Sequence, residues 1–382
     1  MNETQLLTRA IEEQVIESLL PGKVVILIGP RRVGKTVLLG QLLERLQTPY
    51  LLLNGENLAH QQALRHRTTA HYESLLEGKR LLIIDEAQKI AEVGQALKLM
   101  VDTIPGLRII ATGSSAFDLN RYTGEPLTGR KTTFRLFALA EAEYDQVQTP
   151  VERREAMQKR LVFGNYPELL QLASDRLKTR YLRDLVDAYL LRDILEFENI
   201  KNADKILALL RLIAYQIGGE VSQQELGQQL GISKNTVDKY LDLLSKVFIL
   251  HRVSGFSRNL RKEIVKTKRW YFYDNGLRNM LIANLNPVEL RNDQGKLWEN
   301  YLISERLKHQ RYTEMAVNNY FWRTYDQQEI DWVEERGGQL YGYEFKWNPK
   351  KQPKAPVAWR KNYPEAHFEV MHPDNYAAWI RP

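Results

Sequence analysis

Residues Gly29 to Thr36 read Gly-Pro-Arg-Arg-Val-Gly-Lys-Thr, a spacing of glycines, lysine and threonine that few folds can accommodate. The run before it, Val24 to Ile28, is short and continuously apolar, as expected of a strand buried on both faces. The stretch after it, Val37 to Leu46, has helical spacing. A chain that leaves a buried strand, turns on glycines and enters a helix aims its free amides at one point, which is an anion cradle. In such a loop Lys35 reaches the β- and γ-phosphates of a nucleotide and the Thr36 hydroxyl ligates Mg²⁺. Gly29, Pro30, Arg31, Arg32, Val33, Gly34 and Val37 make up the rest of the wrap.

A second half is needed, and Leu81 to Gln88 supplies it as Leu-Leu-Ile-Ile-Asp-Glu-Ala-Gln. Asp85, at the carboxyl end of a buried strand, is placed to hold Mg²⁺ through water. Glu86 is placed to polarise an attacking water, and that acidic pair marks ATP hydrolysis more than GTP signalling. The plainer reading is a surface Asp-Glu opening a helix. The run Leu107 to Ala111 ends in Thr112-Gly113-Ser114-Ser115, where Ser114 could sense the γ-phosphate or simply form a turn. With Tyr50 to Leu53 these runs alternate with helical stretches, so residues 1–150 are expected to form an α/β domain around a parallel sheet. Its end falls in the polar stretch holding Thr149-Pro150.

At 382 residues the chain exceeds one ordinary core, so two or three domains are expected. Apolar content of 43% with 26% charged residues fits a folded chain rather than a disordered one. The absence of cysteine removes disulfides, thiolate zinc sites and cysteine nucleophiles. The histidines show no paired ligand spacing. Met1 to Leu20 lacks a secretory pattern, and no run approaches ~20 apolar residues. A cytoplasmic protein with no membrane segment is expected. Net charge is +7, and from His251 onward there are 22 Lys+Arg against 16 Asp+Glu, so nearly all the excess lies in the last third. That balance permits DNA binding and is equally met by a solvated basic surface.

Residues 151–275 read as a helical region ending in a winged helix-turn-helix. Gln224 to Leu230 is the first helix, Gly231 the turn, and Ser233 the cap of a second helix that would present Lys234, Asn235, Thr236, Lys239 and Tyr240 to a groove. A hairpin from Val247 to Val253 and Ile264 to Tyr273 would carry Arg258, Arg261, Lys262, Lys266, Lys268 and Arg269 near its tip. A basic wing of that kind can neutralise DNA phosphates, or the module can serve as a lid that binds protein.

In residues 276–382, Glu329-Ile330-Asp331-Trp332 precedes a turn and Glu344-Phe345-Lys346. Residues two apart on a strand share a face, so Glu344 and Lys346 point together, and an antiparallel neighbour brings Asp331 beside them. Glu299, on the preceding helix, could complete an acidic wall. Glu299, Asp331 and Glu344 would then hold a metal ion and Lys346 would position water, the set used in metal-assisted phosphodiester hydrolysis. Without a metal the same residues form a salt bridge.

The loop, LLIIDEAQK, ATGSS, LTGRKTTFRLFALAEAEY and FGNYPELL together resemble bacterial and archaeal AAA+-type ATPases, although Phe137 to Ala140 departs from the group's Pro and Ser. The resemblance implies ATP and Mg²⁺ as cofactors, and offers Arg130 as an arginine finger acting on a neighbour in a homo-oligomer or, nearly as readily, as an internal structural arginine. Glu299, Asp331, Glu344 and Lys346 resemble, residue by residue, the PD-(D/E)XK nuclease superfamily, which implies a restriction-endonuclease-like α/β fold. YFYDNGL, LWENYLISE, FWRTYDQQEIDW and YEFKW are similar to the domain that commonly follows these ATPases. The expectation is an ATP-hydrolysing protein that remodels or cleaves a branched or invading duplex. Its alternative is a nucleotide-gated switch whose terminal modules bind protein partners.

Overall fold

The computed structural model describes residues 6–114, 127–190, 203–258 and 267–381. It divides into two compact units, Met1–Leu139 with Lys246–Phe248, and Ala140–Ser245 with Ile249–Pro382.

The first unit is built on five parallel strands: β1 (Val24–Ile28), β2 (Tyr50–Asn54), β3 (Leu81–Asp85), β4 (Arg108–Gly113) and β5 (Lys131–Arg135). Their order across the sheet is β2-β3-β4-β1-β5. Strands β1, β3 and β4 are central and almost wholly buried, which is why each reads as an unbroken apolar run. Strand β5 escaped that reading because it is an edge strand, and Lys-Thr-Thr-Phe-Arg buries only Phe134. The strand holding the acidic pair is not beside β1. Strand β4 lies between them and brings Thr112 and Ser114 to the space separating Thr36 from Asp85.

In the second unit β6 (Leu250–Gly255), β7 (Lys268–Phe272), β8 (Asn318–Arg323), β9 (Glu329–Arg336), β10 (Gln339–Phe345) and β11 (His367–Met371) form one mixed sheet ordered β11-β10-β9-β8-β6-β7. Hairpin pairs β6/β7, β8/β9 and β9/β10 are antiparallel, while β6/β8 and β10/β11 are parallel. The expected wing hairpin and the terminal strands therefore share a sheet, so residues 151–275 and 276–382 are joined through β6 and β8 rather than parted at residue 275. Thr149 caps helix Pro150–Phe163 through a capping box with Glu152, and the unit changes earlier, at Leu139–Ala140. Phe256, Trp322, Ile330, Val333, Leu340, Trp359 and Tyr363 pack as one apolar cluster of this unit.

A buried polar network fills the rest of its interior. The Glu141 carboxylate, fully buried, accepts hydrogen bonds from Arg160 at 3.0 Å, from Tyr376 and Arg381 at 3.3 Å, and from the Tyr301 hydroxyl. The Glu141 amide donates to Glu305 at 2.7 Å, which also accepts from Asn165 at 3.1 Å and from Lys308 at 2.6 Å. The Asn165 amide in turn donates to Asp274 at 2.7 Å, and Asp274 caps the next helix by accepting from Leu277 at 3.1 Å. Gly164 lies at φ +80° with Asp274 pressed on it, so an added Cβ would fall 2.1 Å from the carboxylate. Burying charge is costly unless partners meet it, and here most partners come from distant segments, although among the described residues the Nε–H of Arg160 and of Arg381 makes no hydrogen bond.

Asp274→Ala would strand the Asn165 and Leu277 amides in the interior. A loss of about 3 kcal/mol or more is expected from the denaturation midpoint, with Asp274→Asn recovering part of it. A change below about 0.5 kcal/mol would show the network to be ornamental.

Candidate functional site

The loop after β1 has no room for any residue but glycine at its start, since a Cβ on Gly29 would lie 2.1 Å from the Leu136 carbonyl oxygen. Gly34 takes φ +92° as the N-cap of helix Lys35–Leu46, the left-handed turn that only glycine adopts freely. Lys35, 7% exposed, donates to the Gly29 and Pro30 carbonyls at 2.9 Å each, so its ammonium is held over the mouth of the loop. Arg32, Thr36 and Val37 are exposed, Pro30 and Arg31 are half-buried, and the Val33 side chain turns into the core. Behind the loop, buried Arg9 donates to the carbonyls of Val33 at 2.6 Å and Phe137 at 2.8 Å. Sequence reasoning missed Arg9, because nothing local links it to a loop 24 residues away.

Thr36 donates to Asp85 at 3.4 Å, and the Thr112 hydroxyl donates to the other Asp85 oxygen at 2.5 Å while accepting from the Glu86 amide at 3.1 Å. Thr112 thus fixes both acids. Glu86 sits at φ +51° and its carbonyl lies so close to Gly55 that a Cβ there would approach within 2.1 Å. The Glu86 carboxylate accepts from Gln88 at 2.5 Å, and the same Gln88 nitrogen reaches Ser114 at 3.2 Å. Gln88 was part of the quoted motif, yet its role could not be read, because Ser114 is 26 residues away. The fit to a magnesium nucleotide is good: an amide-lined turn, a poised ammonium, and a hydroxyl and carboxylate close enough to share a cation. Arg130 stands elsewhere. Its carbonyl bonds the Val24 amide, placing it at the opposite end of the sheet, and its guanidinium pairs with Asp102 at 2.5 Å.

In the second unit a cavity of about 500 Å³ is lined by Glu299, Glu329, Asp331, Glu344, Lys346 and Trp347, among others. The fourfold set expected there is brought together. Each member is also engaged by protein: Glu299 accepts from the Tyr271 hydroxyl at 2.6 Å, Asp331 from the Phe345 amide at 2.9 Å, and Glu344 from Lys346 at 2.5 Å. Among the described residues no three acidic or imidazole groups share one metal-ligating point. Burial, reinforced by Asp331, pushes the Glu299 carboxyl up to about 8 against the pull of Arg269 and Tyr271. Burial and Asp331 likewise push Glu344 up to about 7, and burial raises Asp331 despite Phe345 and Lys346. The Lys346 ammonium is raised even though burial opposes it, because Glu344 holds it.

Helices Gln223–Leu230 and Lys234–Lys246 follow the expected helix-turn-helix, with Gly231 at φ +64° and Ser233 accepting from the Thr236 amide at 3.1 Å. Lys234, Asn235 and Lys239 are exposed and Thr236 is half-buried. Tyr240 does not face outward; it is 8% exposed and belongs to the apolar side of its helix. Arg269 is not a wing residue either. It is 4% exposed, lies 4.5 Å over the Phe321 ring and pairs with Glu329 at 2.8 Å, because β7 is buried on both faces from Arg269 to Phe272. Arg258 pairs with Glu335 at 3.1 Å and Lys268 with Asp238 at 3.8 Å. Arg261, Lys262 and Lys266 lie outside the described residues, as does Ser115.

Residues 21–145 match the AAA domain family. Residues 154–289 and 294–375 match two families described only as domains of unknown function, DUF8612 and DUF4143. An uncharacterized protein of Mycobacterium tuberculosis is 27% identical over 85% of this chain and 70% of its own. One from Haemophilus influenzae is 23% identical over 82% and 80%. Among solved structures, the RuvB Holliday junction branch migration motor of Thermotoga maritima aligns at 19% identity and TM-score 0.34, covering 65% of this chain and 90% of that one. A STAND ATPase with a tetratricopeptide sensor from Pyrococcus horikoshii aligns at 10% and 0.32, covering 81% and 46%. The chain thus carries an AAA-type P-loop ATPase domain. Among the described residues no helix is long and apolar enough to cross a membrane.

The raised Glu299 gives a pH dependence with a definite sign. The folded chain keeps a proton there that the unfolded chain, near 4.5, has released, so the stability it contributes is complete below about 4.5 and is lost as pH rises through about 8. In a chelator, thermal unfolding between about pH 5 and about pH 9 should show a falling midpoint, and Glu299→Gln should flatten that fall. An unchanged slope in the variant would remove Glu299 as its source.

Proposed function

We propose that the chain is a cytoplasmic, Mg²⁺-dependent ATPase acting on DNA. The observation that carries the ATPase reading is the meeting of Thr36, Asp85, Thr112 and Glu86 at the carboxyl ends of three parallel strands. ATP supplies the phosphoanhydride, whose γ-phosphoryl group is taken by water. The chain's part is to bind and orient. Amides of the Gly29–Thr36 turn and the Lys35 ammonium neutralise phosphate charge, and Thr36 with Asp85 holds Mg²⁺. Glu86 draws on the proton of the attacking water, and Ser114 reads the γ-phosphate. Arg130, far from its own loop and 42% exposed, would have to leave its pair with Asp102 to serve a neighbouring subunit as an arginine finger. Lys35→Ala should lower ATP turnover roughly 100-fold or more. Glu86→Gln should keep nucleotide affinity and lose turnover. Normal rates in both variants would refute the assignment.

The DNA reading rests on the acidic cavity. Glu299, Asp331 and Glu344 stand together in the cavity with Lys346 between them, Glu329 is paired with Arg269, and Lys296 and Lys351 lie at the exposed rim. A divalent cation would relieve the repulsion among the three clustered carboxylates. Asp331 and Glu344 would hold it and Lys346 would orient water at a phosphodiester, while the cation's chemistry would be to stabilise charge on the cleaved phosphate. The protein contacts that already occupy each carboxylate favour a second reading, in which the unit is a catalytically silent partner-binding module gated by nucleotide. Calorimetric Mn²⁺ titration beside nuclease assays on linear, forked and four-way DNA separates them. Binding lost in Asp331→Ala together with Mn²⁺-dependent cleavage supports the first, and neither signal on any substrate supports the second.

A further inference from the structure

Of the basic residues expected around the hairpin, those in the described segments are spent within the unit, on Glu335, Asp238 and Glu329. The uncompensated cations stand at another place. Lys296, in the first turn of helix Gln294–Tyr312, and Lys351, in the loop after β10, line the same cavity as Glu299, Asp331 and Glu344. Lys350 and Lys354 flank Lys351 in the Lys/Pro-rich tract Pro349–Pro356. All four are exposed and form no ion pair with a described residue.

That tract has a set shape. The Lys350 amide donates to the Asn348 side chain at 3.0 Å, the Lys351 amide to the Asn348 carbonyl at 3.0 Å, and the Gln352 side chain to the Pro349 carbonyl at 3.0 Å. Pro349, Pro353 and Pro356 fix φ along it. A loop already ordered loses little entropy when it binds, so its lysines can act as a row rather than as separate tethers. The cavity floor, by contrast, is acidic and would repel a phosphate. A polyanion can approach such a floor only where cations at the rim hold its neighbouring phosphates.

We propose that Lys296, Lys350, Lys351 and Lys354 form a track that holds the sugar-phosphate backbone of a DNA strand across the mouth of the acidic cavity. The inference rests on reading that cavity as a phosphodiester site, and it places a backbone contact at the end of the sheet order opposite the hairpin, beside β10. Lysines hold phosphates as point charges without reading bases, so the contact is indifferent to sequence.

The test uses the full chain carrying Lys296→Gln, Lys350→Gln, Lys351→Gln and Lys354→Gln together, with Ca²⁺ present to prevent cleavage. Anisotropy of fluorescein-labelled single-stranded and duplex DNA is followed across a salt series. The expected result is at least a tenfold loss of affinity at low salt and a log–log salt slope shallower by roughly 3 units, since each phosphate contact contributes about 0.7–0.9. A parent-like thermal unfolding profile and far-UV circular dichroism spectrum show the variant to be folded. Parent-like affinity and slope would overturn the track while leaving the DNA reading in place. Failure of the parent chain to bind any DNA would overturn both. Displacement of the DNA by polyglutamate at equal charge concentration would also overturn it, by assigning the lysines to an acidic protein.

Discussion

The second unit depends on Asp274. Its carboxylate is fully buried, yet it serves the Asn165 and Leu277 amides at once, tying helix Pro150–Phe163 to the segment after β7. Asn165 passes the link to Glu305, and Glu305 passes it to the amide of Glu141 at the unit's first residues. Burial raises the Asp274 and Glu305 carboxyls, so each holds its charge only because several donors converge on it. Such a network cannot be half-formed, which makes it a device for register. Gly164 and Gly276 are glycines for the same reason: a Cβ on either would strike Asp274 or the Phe163 carbonyl. The acidic cavity inherits that rigidity, because Glu299 and Glu305 lie on one helix and Tyr271 is two residues from Tyr273, beside Asp274.

This alters what several short motifs mean. FGNYPELL, AEAEY, YDNGL and LWENYLISE look like functional signatures because polar residues stand among apolar ones. Asn165, Glu141, Asp274, Asn275, Asn300 and Glu305 turn out to be the interior wiring: Asn300, for instance, both accepts from the Phe272 amide at 2.7 Å and donates to its carbonyl at 3.1 Å. A buried polar group with all its bonds made is a structural requirement, and a residue type alone does not separate it from a site.

How much could be read from sequence follows from whether a feature is local. The strands β1, β3 and β4 were legible because burial on both faces leaves an apolar run, and the phosphate loop because glycine, lysine and threonine act within eight residues. Edge strand β5 was not, since it buries one side chain. Tyr240 and Arg269 were misplaced outward for different reasons: an amphipathic helix can bury a tyrosine ring, and β7 is buried on both faces, so Arg269 is covered whatever its charge. Arg9, Thr112 and Gln88 were invisible as roles because their partners lie far along the chain. The continuity of β6 with β8 was hidden likewise, since it joins residues more than 60 apart.

The two acidic sites solve the same electrostatic problem in different ways. Asp85 is bound by two hydroxyls, from Thr36 and Thr112, which leaves its charge available and open to the loop. Glu299 and Glu344 are instead crowded against Asp331, and the fold tolerates them by raising their affinity for protons toward neutrality. A proton held near 7 or 8 is one that a divalent cation can displace at modest cost, whereas a carboxylate held near 4 would have none to give. If the cavity takes a cation as proposed, cation binding and proton release there would be one event. The rim lysines complete that logic: protons neutralise the acidic floor only in part, so a phosphate backbone above it has to be held from the rim.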